Sequence, residues 1–170
     1  MPTMTNFSSG TSIASADINT NFDNLEFGYS YQLTPTIPSA WTTDPTNLTN
    51  ITDNDDTTVT GTGVIAGTAT KYILIDIGWL RVFSRVHYKI GLWVDVNGTG
   101  TSLCQIEASP DNSTWTSLGD VNADITDTSE VVAEGSFDAS GKRYRYFRIL
   151  FTAHTDDTNL NAKIYSLDVI

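Results

Sequence analysis

The alternation of apolar and polar residues is strictest between residues 85 and 96. Apolar side chains occupy the even positions from Val86 to Val96, while Arg85, His87, Lys89, Trp93 and Asp95 occupy the opposite side. This two-residue period is typical of a strand with one buried face. The preceding run KYILIDIG, residues 71–78, is apolar on nearly both sides and indicates a more central strand. We expect these two strands to form the spine of a sheet.

The chain after Trp41 continues as short apolar runs separated by turn residues. A short edge strand is predicted within residues 58–68, and further strands are predicted near residues 103–108, 115–118, 130–137, 143–151 and 163–170. Phe147, Ile149 and Phe151 share one phase, which Arg145 breaks near the start of its strand. About eight short strands at this spacing predict an all-β antiparallel sandwich.

The first 40 residues differ from the rest of the chain. Residues 1–14 are polar without periodicity, which predicts an extended arm. Ile18, Phe22 and Leu25 then follow at helical spacing and predict a short helix. So short a helix needs a partner: its own sandwich, copies of itself, or another protein. We therefore divide the chain into residues 1–40, an arm, helix and linker for attachment or oligomerisation, and residues 41–170, the sandwich.

Charge and composition exclude several classes of protein. The formal net charge is −11 over 170 residues, with 9 Lys and Arg against 20 Asp and Glu, so nucleic acid is not an expected partner. No segment is apolar enough to insert into a membrane, and the N-terminus lacks the pattern of a signal peptide. Cys104, the single cysteine, lies in an apolar phase and is predicted to be a buried thiol.

No pattern for bond-making chemistry is present. The two histidines, His87 and His154, have no neighbours at zinc-ligand spacing, and no serine lies in a nucleophile elbow. The pair Asp156 and Asp157 is more often solvated than catalytic. We predict that the protein is not an enzyme and has no catalytic residues. The acidic loop 51–58 offers hard oxygen ligands of the kind that Ca²⁺ prefers, or is a solvated turn.

Four motifs in this order point to a known family. They are the acidic loop Asp53–Thr58, YILIDIG at 72–78, SPDNSTW at 109–115 and RYFRI at 145–149. The order resembles the discoidin family, the coagulation-factor C-type or galactose-binding-like domains. The resemblance covers residues 41–170 and implies an eight-stranded antiparallel jelly roll. The disulfide that often joins the ends of secreted members is impossible here, and Asn54 stands where glycine is usual.

The resemblance also implies site residues. Many discoidin-like carbohydrate-binding modules hold a structural calcium ion at the matching loop, which here carries over to Asp53, Asp55 and Thr58. Independently of the resemblance, two tryptophans are candidates for ligand binding. Trp79 lies where a loop is expected to leave the sheet, and Trp93 lies on the polar side of the long strand. Either ring can stack on a sugar, fill a protein interface or be covered by the N-terminal arm.

Two other motif residues are predicted to be structural. We expect Trp115 to enter the core after a tight turn at Asp111–Ser113. We expect Asp76 to fix the turn before Gly78 rather than to take part in catalysis.

An adhesion-type sandwich without an export signal leads to the functional prediction. The segment GTSIASADINTNFDNLE resembles the starts of phage tail-fibre and related virion proteins. We predict a viral structural protein assembled in the host cytoplasm: a virion decoration, fibre or receptor-binding component. It would bind other virion proteins, form a homo-oligomer with a trimer favoured, and contact cell-surface glycan. The alternative is a carbohydrate-binding module of a cell-surface or secreted assembly.

Overall fold

The computed structural model describes residues 35–53, 55, 57–67, 69–95, 103–122, 125, 127–139, 141–152 and 159–170. These residues lie in one compact unit. Its strands are β1 (Gly63–Ile65), β2 (Thr70–Val82), β3 (Arg85–Val94), β4 (Leu103–Ser109), β5 (Thr116–Asn122), β6 (Val131–Asp138), β7 (Arg143–Thr152) and β8 (Leu160–Val169). A single turn of 3₁₀ helix, Leu48–Ile51, is the only helix in the part of the chain that the structure describes.

The strands form two four-stranded sheets. One has the order β1-β8-β3-β6 and is called the β3 sheet below, and the other has the order β2-β7-β4-β5 and is called the β7 sheet. Every pair of neighbouring strands is antiparallel. The chain changes sheet at nearly every connection, which is the jelly-roll arrangement. The predicted all-β antiparallel sandwich of eight strands is confirmed.

The core lies between the two sheets and is made from the inward side of each alternating strand. Its fully buried large side chains include Ile73, Ile75, Ile90, Leu92, Ile106, Phe147, Ile149 and Phe151. Trp41 closes one margin by contacting Phe151 edge to face, with ring centres 5.2 Å apart. Cys104 is buried as predicted, and desolvation raises the pKa of its thiol.

The start of β7 departs from simple alternation. The register between β2 and β7 shifts between Asp76 and Arg81, next to Gly78, whose φ of 86° is accessible mainly to glycine. The alternation of inward and outward side chains in β7 shifts at the same place. Tyr144 therefore enters the core and Arg145 turns outward. This explains why Arg145 interrupts the apolar phase in the sequence.

The ends of the described chain are tied into the sandwich. Thr36, in the predicted linker, forms an isolated bridge with Leu74 at the edge of β2, with N–H to O distances of 2.8 and 2.9 Å. At the other end, the Ile170 carbonyl accepts from the backbone N–H groups of Ser84 and Arg85. The predicted pairing of the C-terminal strand is confirmed, and the division at residue 40 stays a prediction.

The predicted N-terminal helix lies outside the described residues. Ile18, Phe22 and Leu25 are therefore not placed, and their role in oligomerisation or attachment stays a prediction. The described part of the chain contains no helix that is long and apolar enough to cross a bilayer.

Candidate functional site

Trp93 lies on the outer face of the β3 sheet, as the alternation of β3 predicts. Its backbone is paired with that of Asn161 in β8, and its side chain is partly exposed. The ammonium nitrogen of Lys163, one diagonal step away on β8, lies 5.3 Å from the centre of the indole ring. A cation at this distance is attracted to the electron-rich face of the ring.

Gly91 makes room for an acidic group beside this pair. It lies two residues before Trp93 on the same side of β3, and a Cβ atom there would approach Oε1 of Glu130 to 2.1 Å. The carboxylate of Glu130 thus lies over the bare backbone of the strand. Its Oε2 is 3.1 Å from Lys163 Nζ, and its Oε1 accepts from the Tyr165 hydroxyl at 2.9 Å.

These contacts define the Trp93 cluster: Trp93, Glu130, Lys163 and Tyr165. The side chains of Glu130 and Lys163 are 25% and 32% exposed, so they are held in place and still reach solvent. An apolar ring with a few fixed polar groups is the usual composition of a small-ligand site.

Asp95 extends the cluster toward the end of β3. It follows Trp93 by two residues on the same side, and its carboxylate accepts from the side-chain amides of Asn159 and Asn161 at 2.5 and 2.6 Å. No ion pair of Asp95 is found among the residues that the structure describes. An exposed carboxylate two residues after Trp93 is thus oriented by two side-chain amides, and the described residues offer it no cation.

Charged side chains continue along the face away from Trp93. His87 lies 3.7 Å from Glu134 and 3.8 Å from Asp168, and Lys89 lies 3.9 Å from Glu134. His87 is therefore a partly exposed histidine among acidic neighbours, which agrees with its predicted ordinary role. His154 lies outside the described residues.

Trp79, the second predicted ligand residue, lies elsewhere. The prediction that a loop begins at Trp79 is wrong, because β2 resumes its pairing at Arg81 after the irregularity near Gly78 and ends at Val82. Trp79 is 46% exposed, beside the exposed Leu80 and Val82. It belongs to β2 in the β7 sheet, whereas Trp93 belongs to β3 in the other sheet. The two tryptophans do not form one site.

Trp115 lies on the outer face of the β7 sheet, so the prediction that it enters the core is wrong. Its ring centre is 4.1 Å from the guanidinium carbon of Arg148, which also lies 5.2 Å from the ring centre of Tyr72. Nε of Arg148 donates to Glu107 at 2.5 Å. Trp115 covers an arginine on the surface of the sheet, and its purely structural role stays a prediction.

The turn before Trp115 forms as its sequence predicts. The Asp111 carboxylate accepts from the backbone N–H groups of Ser113 and Thr114 at 2.9 and 2.8 Å, and Asn112 adopts a left-handed conformation with φ of 60°. These backbone hydrogen bonds lower the pKa of Asp111.

Asp76 also has its predicted role. It accepts from the Gly78 N–H at 2.8 Å, which fixes the irregular turn of β2. Its two oxygens also accept from Nε and Nη2 of Arg145, each at 2.8 Å. This side-chain pairing with Arg145 lowers the pKa of Asp76.

The acidic loop brings together the three residues predicted to bind calcium. The Thr58 hydroxyl lies 2.8 Å from Asp53 Oδ2 and 2.9 Å from the Asp55 carbonyl oxygen, while the Asp55 carboxylate accepts from Thr57. Hydrogen bonds to Thr57 lower the pKa of Asp55. Three adjacent oxygens are fewer than the six to eight that Ca²⁺ takes. The described residues contain no group of three acidic, histidine or cysteine side chains suited to a metal, so calcium binding stays a prediction.

Several members of the cluster were not identified from the sequence. Lys163 and Tyr165 alternate outward in the last predicted strand, and Glu130 begins another. The alternation shows on which side of the sheet a residue lies, but it does not show which strand is its neighbour. β8 is about seventy residues from β3 in the chain, so their pairing cannot be seen in the local pattern.

Comparison with solved structures identifies the fold. A CBM32 module from Clostridium perfringens, in complex with GalNAc-β-1,3-galactose, matches with a TM-score of 0.50 and 10% identity, over 83% of this chain and 96% of that one. Chitosan-binding module 2 of a chitosanase/glucanase from Paenibacillus sp. IK-5, in complex with chitotriose, matches with a TM-score of 0.50 and 16% identity, over 82% of this chain and 97% of that one.

A third match is the CBM32 of AlyQ in complex with 4,5-unsaturated mannuronic acid, with a TM-score of 0.49 and 19% identity, over 80% of this chain and 92% of that one. No family model matches the sequence, and no curated protein matches it significantly. At these identities the likeness shows the fold, which is galactose-binding-like or discoidin-like. The fold that the resemblance implies is confirmed, and membership of the family stays a prediction.

Proposed function

We propose that the sandwich is a non-catalytic carbohydrate-binding module that binds glycan at the Trp93 cluster. The observation that carries the proposal is a partly exposed indole next to polar groups held by hydrogen bonds: Glu130, Lys163, Tyr165 and Asp95. The fold supports it, because the structures that match with a TM-score of 0.50 are carbohydrate-binding modules. These neighbours favour the alternative of our sequence analysis over the virion prediction.

Each part of the cluster has a role in the proposal. The indole offers a flat apolar surface for the C–H face of a pyranose ring. Glu130 accepts hydrogen bonds from sugar hydroxyls, and Lys163 donates them. Because Glu130 is already held by Lys163 and Tyr165, less side-chain freedom is lost when a ligand binds.

The two tryptophans provide the test. A glycan array identifies a ligand, and titration calorimetry then measures its affinity for the unmodified protein, Trp93→Ala and Trp79→Ala. We expect Trp93→Ala to weaken binding at least about tenfold, equivalent to about 1.4 kcal/mol, and Trp79→Ala to leave it unchanged. The reverse result would place the site at Trp79, on β2 of the β7 sheet. Binding of no glycan, or turnover of a saccharide, would contradict the proposal.

The virion prediction rests on residues 1–40 and stays a prediction. It is tested by measuring the mass of the protein in solution with and without residues 1–27. A trimer that dissociates on truncation supports attachment or oligomerisation through Ile18, Phe22 and Leu25. A monomer in both forms contradicts it.

Calcium binding at Asp53, Asp55 and Thr58 is a separate proposal. A bound ion would stabilise the folded state by mass action. The melting temperature should therefore rise in calcium relative to chelator, and Asp53→Ala should abolish the difference. Equal melting temperatures in both conditions would contradict it.

A further inference from the structure

We propose that the Trp93 cluster selects saccharides that carry a free ammonium group over anionic ones, and that Asp95 recognises the ammonium. The inference rests on the proposed function and specifies its ligand class. It is carried by an oriented, exposed carboxylate two residues along the chain from an aromatic ring that already attracts an ammonium within the protein.

Lys163 shows how the cluster accommodates an ammonium. Its Nζ lies 5.3 Å from the centre of the Trp93 ring and 3.1 Å from Oε2 of Glu130. An aromatic face and a carboxylate therefore hold one cation between them. Asp95 supplies a second carboxylate on the same side of β3, and the described residues offer it no cation.

The geometry of Asp95 suits contact with a ligand. Residues two apart on a strand are separated by about 6.6–6.8 Å on the same face, so a sugar ring over Trp93 has its substituents near Asp95. Each oxygen of Asp95 accepts one hydrogen bond from an asparagine amide, at 2.5 Å from Asn159 and 2.6 Å from Asn161. A carboxylate oxygen can accept a further bond, so both oxygens remain available.

The local balance of charge disfavours an anion. Lys163 is paired with Glu130, which leaves Asp95 and Asp127 as two exposed carboxylates without an ion pair among the described residues. Asp127 is close to β3, because its carbonyl accepts from the Val94 N–H at 2.9 Å. The net charge of the whole protein, −11, also repels anions, although salt screens the charges that lie far from the cluster. A uronic or sulfated sugar would meet repulsion here.

The test compares ligands and then variants. A glycan array grouped into amino, neutral and anionic saccharides is followed by titration of an amino saccharide and its N-acetylated counterpart, in which a neutral acetamide replaces the ammonium. We expect the amino form to bind about five- to tenfold tighter, and salt to reduce the difference. This comparison uses the unmodified protein and does not depend on a variant that folds.

Asp95→Asn should then bring the two affinities to about the same value. The matched control is Asp120→Asn, which removes the same charge from an exposed residue of the β7 sheet that also accepts from an amide, Gln105 at 2.6 Å. It should keep the preference. If both variants lose the preference for the amino saccharide equally, the preference comes from the general attraction of a cation to an acidic protein. That result overturns the inference.

Four further outcomes are decisive. Preference for anionic saccharides, or equal affinity for amino and N-acetylated forms, overturns the inference while glycan binding at Trp93 stands. Binding of no saccharide, or binding that Trp93→Ala leaves intact, overturns the proposed site and the inference with it.

Discussion

The two outer faces of the sandwich carry the same three kinds of side chain in different packing. Each has a tryptophan, a basic residue over its ring and a glutamate paired with that basic residue. They are Trp93, Lys163 and Glu130 on the β3 sheet, and Trp115, Arg148 and Glu107 on the β7 sheet. We expect the set on the β7 sheet to stabilise the fold and the set on the β3 sheet to bind a ligand.

The β7 face is the more tightly closed. Arg148 lies 4.1 Å from the Trp115 ring centre and also contacts Tyr72, and the side chains of Arg148 and Glu107 are 19% and 13% exposed. A planar guanidinium stacks on rings, whereas an ammonium is a compact and strongly hydrated charge on a flexible stem. Lys163 lies farther from its ring, at 5.3 Å, and is 32% exposed. The cation on the β3 face can therefore move aside more easily.

The largest expected effect is on stability. Arg148→Ala leaves the mostly buried Glu107 without its partner and should lower the free energy of unfolding by about 2–4 kcal/mol. Lys163→Ala removes a more exposed pair and should cost about 1 kcal/mol or less. Urea denaturation measures both. Equal losses would mean that the two faces do not differ in this way.

Replacing each of the two tryptophans should affect a different property of the protein. Trp115→Ala should lower stability by about 1–3 kcal/mol, because the covered surface of Arg148 becomes exposed, and should change glycan affinity less than about twofold. Trp93→Ala should lower stability only slightly and should weaken glycan affinity at least about tenfold, which corresponds to about 1.4 kcal/mol of binding free energy. Urea denaturation and titration calorimetry on both variants distinguish the faces. A Trp115 variant that folds and fails to bind glycan contradicts this assignment.

The sequence predicts the fold better than the site because alternation is a local property. The period of β3 is enough to place Val86 and Leu92 in the core and Trp93 outside. It cannot show that Glu130 lies over Gly91, since that depends on the pairing of distant strands. The predicted position of Trp79 is wrong because the sequence does not reveal whether the strand resumes after the irregular turn at Gly78.

Gly91→Ala tests the position of Glu130 over Gly91, which cannot be predicted from the sequence. Alanine in an extended strand is otherwise favourable by about 0.5–1 kcal/mol relative to glycine. Here its Cβ would lie 2.1 Å from Oε1 of Glu130, so the carboxylate must leave its place between Lys163 and Tyr165. We expect glycan affinity to fall about three- to tenfold, or about 0.7–1.4 kcal/mol, with little loss of stability.

Glu130→Gln is the matched variant, because it keeps the shape of the side chain and removes its charge. It should retain part of the affinity. If Gly91→Ala binds as tightly as the unmodified protein, the position of Glu130 does not matter for the ligand. Titration of both variants with the same glycan decides this.

The smallest expected effect concerns Asp76 and Arg145 on the β7 sheet. Pairing with Arg145 lowers the pKa of Asp76 in the folded protein, below about 3.9 for an unfolded aspartate. The stabilisation is therefore fully present above about pH 4 and is lost as the pH falls through the lower folded value. Because the two side chains are 39% and 38% exposed, we expect no more than about 0.5–1 kcal/mol.

Asp76→Asn should accordingly be less stable than the unmodified protein at about pH 7, and the difference should shrink toward about pH 2. Urea denaturation across this range measures it. The asparagine can still accept from the Gly78 N–H, so the turn is kept and the charged contact to Arg145 is what changes. A difference that stays constant with pH would mean that Asp76 stabilises β2 through the turn alone, and that ion pairing contributes nothing to the closed character of the β7 face.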